Sequence, residues 1–179
     1  MAKKVLVVET SLRAKSNSDV LAEAFAKGAK EAGHEVEVVS LKGKKIAFCT
    51  GCMACQKLGH CVIEDDANAI TEKIYNADVV AWVTPIYYYE MSGQMKTMID
   101  RANSLYPRDY KFRDVYLLSV AADDADATPE HALGGVQGWV DCFEQARVKG
   151  SVFAGGVDEP GAIEGHEALQ KSFEMGKNS

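Results

Sequence analysis

Lys3-Lys4-Val5-Leu6-Val7-Val8-Glu9, running on into Thr10-Ser11-Leu12-Arg13-Ala14-Lys15-Ser16-Asn17-Ser18, is the stretch on which the reading of the fold turns. Its first part is a short, continuously apolar run between polar residues, the pattern of a strand covered on both faces in a parallel sheet. Beyond the polar part, Leu21, Ala24, Phe25, Gly28, Ala29 and Ala32 recur at helical spacing, and Gly33 stands where a helix C-cap belongs. The order is therefore buried strand, hydroxyl-rich loop, helix.

The same unit repeats outward from there. Residues 35–41 alternate polar and apolar, as a strand with one partly open face does, and Asp66 is placed to cap a helix over 67–76. Residues 78–84 read as a second fully buried strand ending at Pro85, and Met95, Met98, Ile99 and Ala102 mark the helix after it. A fourth strand is expected over 114–122 and a helix from Thr128-Pro129-Glu130, where a capping hydroxyl, a first-turn proline and an acidic residue coincide. A fifth strand over 148–154 and a helix over roughly 161–176 complete the chain.

Five strands alternating with helices imply right-handed βαβ units and an α/β, doubly wound, five-stranded parallel sheet, flavodoxin-like, with strand order 2-1-3-4-5. The 179 residues are expected to form a single domain. In such a sheet ligands lie beyond the carboxyl ends of the strands at the switch point, which places functional residues at 10–18, 84–93 and 121–128.

The loop after the first strand has the chemistry that position asks for. Ser11, Arg13, Ser16, Asn17 and Ser18 offer hydroxyls, an amide, a guanidinium and the free N–H groups of a helix start, which together suit a terminal phosphate. The bland alternative is that Ser16 or Ser18 caps the helix while Arg13 and Lys15 are solvated. The loop lacks the glycines that wrap a pyrophosphate, and no Gly-x-Gly-x-x-Gly or P-loop lysine signature follows a strand, so a monophosphate is preferred over a dinucleotide or triphosphate.

Composition narrows the classes further. Hydrophobic residues make up 47% and charged residues 26%, an ordinary globular balance, and the net charge of −6 argues against nucleic-acid binding. The run Val5–Val8 stops too soon for a signal-peptide core, and no stretch approaches a membrane span, so a cytoplasmic location is expected. The four histidines are scattered, and the acidic loop Asp123, Asp124 and Asp126 reads as a solvated rim.

Four of the five cysteines fall in one segment, spaced Cys49-x2-Cys52-x2-Cys55-x5-Cys61. Three thiolates at two-residue intervals let one loop wrap a cubane, with the fourth returning from further on. Free or reversible redox thiols and a tetrahedral zinc site are the competing readings. Cys142 reads as a packed helix residue.

Three segments together resemble the NAD(P)H-dependent FMN reductase family of flavodoxin-like proteins. They are Ser11-x-Arg13-x-x-Ser16-Asn17-Ser18, then Thr84-Pro85-Ile86-Tyr87-Tyr88 followed by Gly93, Lys96 and Asp100-Arg101, and the cysteine segment running into Val62-Ile63-Glu64-Asp65-Asp66. The cysteine spacing is similar to that of iron–sulfur flavoproteins within the same family. The resemblance implies that Ser11, Arg13, Ser16, Asn17 and Ser18 hold the FMN phosphate and that Pro85, Ile86, Tyr87 and Tyr88 wall the isoalloxazine ring. It also implies that Ala121, Ala122 and Asp123 approach the ring from the other side. Tyr89 is assigned to structure. NAD(P)H as transient donor, a small-molecule acceptor such as a quinone, flavin, azo or nitro compound, and a homodimer are implied likewise. If Cys49, Cys52, Cys55 and Cys61 carry a [4Fe–4S] cluster, a ferredoxin-like partner is implied as well.

Overall fold

A computed structural model describes residues 1–179. The expected alternation is present: β1 (Lys4–Glu9), α1 (Asn17–Glu31), β2 (Glu35–Ser40), α2 (Ala54–Leu58), α3 (Asp66–Asn76), β3 (Val79–Tyr87), β4 (Glu90–Met91), α4 (Gly93–Arg101), β5 (Asp114–Val120), α5 (Glu130–Val140), β6 (Arg147–Ala154) and α6 (Glu167–Lys177). The sheet order is β2-β1-β3-β5-β6, all parallel, with the two-residue β4 paired antiparallel to the end of β3. Setting β4 aside, the five long strands stand in the 2-1-3-4-5 order, the α/β doubly wound flavodoxin-like arrangement.

Continuous apolar runs allow this sheet to be covered on both sides. Leu6, Val8, Val80, Trp82, Val115 and Leu117 face one core, packed with residues of α3, α4 and α5. Val5, Val7, Val79, Ala81, Tyr116 and Leu118 face the other, under α1 and α6. Those two helices touch backbone to backbone. A Cβ on Gly28 would lie 1.9 Å from the carbonyl oxygen of Phe173, and one on Gly176 would lie 2.1 Å from that of Phe25. Strand β2 lies at the edge, and its Glu35 and Glu37 are exposed as the alternating pattern requires.

Several local expectations are corrected. Strand β3 runs through Pro85 to Tyr87 instead of ending at the proline. Strand β1 ends at Glu9 opposite Val83, so the missing proline N–H opens no gap on that side. The cap of α3 is Asp65, which accepts from Ala67 N at 3.0 Å, while Asp66 turns back to accept from Lys45 N. Thr128 does not cap α5. Its hydroxyl donates to Asp123 Oδ2 at 2.9 Å, and the cap position is Pro129. Helix α6 starts at Glu167 because Gly161 and Gly165 hold positive φ in the turns before it. Cys142 is not packed in a helix but exposed in the turn after α5.

Candidate functional site

Helix α1 opens with a complete capping box. Ser16 Oγ accepts from Asp19 N at 3.0 Å and the Asp19 carboxylate accepts from Ser16 N at 3.1 Å. The first-turn N–H groups of Asn17 and Ser18 have no acceptor within the helix, as at any helix start, and they carry its positive dipole end. They border a cleft of about 190 Å³ at the carboxyl end of the sheet.

Ten of the twelve residues expected around the cofactor line this one cleft: Ser11, Arg13, Ser16, Asn17 and Ser18, then Pro85, Ile86 and Tyr87, then Ala121 and Ala122. Tyr88 and Asp123 do not. Tyr88 and Tyr89 are the two central residues of the β3–β4 turn, both with positive φ (51° and 65°), and the Tyr88 side chain stands fully in solvent. The Asp123 carboxylate is turned to Thr128 Oγ1 and Ala125 N, which hold it below the usual aspartate range. Val120, Val157 and Asp158 complete the lining, and the last two lie on the loop after β6, where no motif pointed.

The donors of the loop are unequally free. The Asn17 amide is fully committed to the 157–163 segment: it donates to Val157 O and Glu159 O and accepts from Gly161 N and Ile163 N. Only its backbone N–H is left for an anion. Arg13 donates to Asp158 O at 2.6 Å and to Glu159 Oε2 at 3.2 Å, and that ion pair is exposed on both sides. An exposed pair of this kind contributes little and yields readily to a phosphate. The Ser11 hydroxyl accepts from Arg13 N and keeps its own proton to donate. A free hydroxyl, two helix-start N–H groups and a guanidinium therefore converge here, a donor set that fits one phosphoryl group and so suits FMN.

One residue beneath the loop escaped the sequence reading. Glu9, at the end of β1, is buried, and its carboxylate accepts from Ser11 N (2.7 Å), Ser18 Oγ (3.0 Å) and Ser40 Oγ (3.1 Å). Burial, reinforced by the neighbouring Asp19 carboxylate, pushes its pKa from 4.5 up to about 7 against the lowering effect of Ser11 N. The unfolded chain ionises this group near 4.5, whereas the folded chain holds its proton up to about 7. Stability contributed by the protonated form is thus present below pH 4.5 and lost as pH rises to 7, by on the order of 3 kcal/mol. Glu9→Gln keeps an acceptor for Ser11 and Ser18, so urea unfolding of this variant is expected to lose that part of the pH slope and to exceed wild type in stability at pH 8. Equal slopes in the two proteins would show that Glu9 ionises freely.

The cysteine segment forms a second feature. Cys49, Cys52, Cys55 and Cys61 all line one small cavity of about 20 Å³, with Cys49 and Cys52 on its exposed side and Cys55 and Cys61 buried. No three His, Cys, Asp or Glu side chains converge closely enough to share one metal ion, so the thiols as placed do not make a tetrahedral mononuclear site. N–H donors reach two of the sulfurs: Gly51 N to Cys49 (3.4 Å) and Asn103 Nδ2 to Cys55 (3.5 Å). The Ala54 N–H and the Thr50 hydroxyl hold the Cys52 thiol below its ordinary value. Beside Cys61 lies Arg101, a fully buried arginine of α4 paired with Asp65. Four thiols wrapped by one segment, with N–H groups aimed at two of the sulfurs, are the donor chemistry an iron–sulfur cluster takes.

A doubly wound sheet with a monophosphate cleft at its switch point defines a flavodoxin-like, flavin-binding class of protein. The family described as NADPH-dependent FMN reductase matches residues 3–142, and the chain belongs to it. With that family it is an FMN-dependent NAD(P)H oxidoreductase. An iron–sulfur flavoprotein of Archaeoglobus fulgidus is 30% identical over 97% of this chain and 77% of its own length. One from Methanosarcina thermophila is 25% identical over 97% of the chain and 92% of its own. Three further iron–sulfur flavoproteins are spanned over only 49%, 53% and 55% of their lengths. Among solved structures, an NAD(P)H:quinone oxidoreductase from Methanothermobacter marburgensis superposes with a TM-score of 0.75 at 21% identity, over 99% of this chain and 97% of its own, a likeness of fold. No helix is long and apolar enough to cross a membrane.

Proposed function

We propose that this protein carries electrons from NAD(P)H to a small oxidised acceptor, a quinone, flavin, azo or nitro compound, through FMN held in the cleft. When bound, FMN supplies both one- and two-electron chemistry at its ring. The observation that carries the reading is the convergence of Ser11, Arg13 and the α1 N-terminus with the Pro85–Tyr87 wall in one cleft. The protein's part is to anchor the phosphate at the loop, to lay the ring along that wall, and to keep the Ala121–Ala122 side open to a second flat molecule. No side chain is assigned proton transfer. A cytoplasmic homodimer is the form proposed.

The four-cysteine cavity favours a second reading on the same cleft. Here Cys49, Cys52, Cys55 and Cys61 hold a [4Fe–4S] cluster, and the protein relays electrons between it, FMN and a ferredoxin-like partner. The names of the most similar relatives support this. One experiment separates the two: an anaerobic visible spectrum with iron and acid-labile sulfide analysis, followed by NAD(P)H oxidation. Flavin absorption with about four irons and four sulfides per chain supports the relay. Flavin alone with rapid NAD(P)H oxidation supports the first reading, and a protein that takes up no FMN rejects both.

A further inference from the structure

The buried guanidinium of Arg101 has a donor with nothing to bind. Its Nη1 donates to Ala47 O (2.8 Å) and Asp65 Oδ2 (2.6 Å), and its Nη2 donates to Ile63 O (3.0 Å) and Asp65 Oδ1 (2.9 Å). All four Nη hydrogens are spent. The fifth donor, Nε–H, is fully buried and has no partner, although the side chain is 0% exposed. A buried N–H without an acceptor is a costly exception in a folded protein and calls for a reason. The other unpartnered donor, Trp82 Nε1, lies in the apolar core, where no ligand chemistry is at hand. Arg101 instead lines the cavity of the four thiols, next to Cys61.

Geometry elsewhere in the segment shows what the free donor is matched to. Gly51 N and Asn103 Nδ2 each give an N–H to the sulfur of Cys49 and Cys55 in turn. Cys61, like Cys52, has no such hydrogen bond, and Arg101, whose Nε–H is unspent, lies beside Cys61. A neutral thiol is a weak acceptor, whereas a metal-bound thiolate carries the negative charge that draws an N–H. Asp65 already balances the arginine's charge, so what the guanidinium offers that sulfur is chiefly a directed donor.

We infer that Arg101 is a positioning residue for the cluster, its Nε–H reserved for the sulfur of Cys61 once that sulfur is bound to iron, and that this hydrogen bond raises the cluster's reduction potential. The inference rests on the iron–sulfur reading above. Hydrogen bonds to cluster sulfurs stabilise the reduced, more negative state, which is the direction of the effect. Arginine is required because its Nη groups can hold Ala47, Ile63 and Asp65 while a separate nitrogen, nearer the backbone, meets the sulfur.

The test compares wild type with Arg101→Lys, each loaded anaerobically with ferrous iron and sulfide. Lysine retains a positive charge for Asp65 but has no N–H at the Nε position. Both proteins are expected to take up iron, with the variant's cluster shifted about tenfold toward its oxidised form at a given potential, ~59 mV more negative for one electron. The FMN potential should stay in place. A second measurement needs no variant: wild type labelled with 15N-arginine should show nitrogen coupling to the reduced cluster by pulsed EPR. A loaded wild type without that coupling, or a loaded variant with an unmoved cluster potential, overturns the inference alone. A wild type that takes up no iron overturns the cluster reading itself, and the inference with it.

Discussion

Replacing Asp65 by alanine is expected to destabilise the protein by about 3–5 kcal/mol, because it leaves the Arg101 guanidinium charged, buried and unpaired. The Arg101 side chain is 0% exposed and that of Asp65 10%, so water can take over little of the lost interaction. Burial is the largest single influence and would raise the Asp65 pKa, but the guanidinium hydrogen bonds, the Ala47 and Ala67 N–H groups and the charge of Arg101 together outweigh it and keep the carboxyl below the usual range. The carboxylate also accepts from Ala47 N and caps α3 through Ala67 N. The pair therefore braces the cysteine segment at both ends, at Ala47 before the first thiol and at Ile63 after the last. Urea unfolding should show the midpoint drop, and the buried Cys55 and Cys61 should react faster with a thiol reagent in native buffer. A loss below about 1 kcal/mol, the range of an exposed pair, would mean the brace is not built as described.

Charge reversal at Arg13 is the second large effect. Arg13→Glu removes a charge-assisted donor, a contribution of about 1.5–3 kcal/mol, and adds repulsion, so FMN affinity should fall by roughly 100-fold or more. Folding should be almost unchanged, since the partners Arg13 has in the protein, Asp158 O and Glu159, are exposed. Flavin fluorescence quenching measures the affinity and thermal unfolding supplies the control. An unaltered dissociation constant would place the phosphate elsewhere.

How far the sequence could be read depended on whether side-chain identity or long-range placement carried the information. Val5–Val8, Val79–Val83 and Val115–Leu118 declare themselves as strands because a sheet covered on both faces needs unbroken apolar runs, and the alternation with helices then dictates the winding. The loop after β1 was legible for the same reason: its donors are local, and the topology places them. The β3–β4 hairpin was not, since Tyr88-Tyr89 contains none of the glycine or asparagine that normally marks a turn with two positive φ values. Asn17 could be placed in the cleft but not its commitment to Gly161 and Ile163, some 145 positions away in the chain. Glu9 looked like the polar end of a strand, and only packing under Ser11, Ser18 and Ser40 makes it a buried carboxyl. Arg101 belongs to the segment that resembles the family, yet no periodicity says that a guanidinium on α4 will be fully enclosed against Asp65. The one-residue shift of the α3 cap has the same origin, because Asp65 is held by Arg101 as well as by Ala67 N.

The central claim is that one phosphoryl group, gripped where β1 gives way to α1, seats the flavin. Titrating the flavin-free protein with FMN and with riboflavin, which differ only in that phosphate, tests it most directly. FMN is expected to bind about 100-fold more tightly or better, from two or more charge-assisted hydrogen bonds, and Arg13→Glu should close most of that gap. Equal affinities for the two flavins in the wild-type protein would contradict the account.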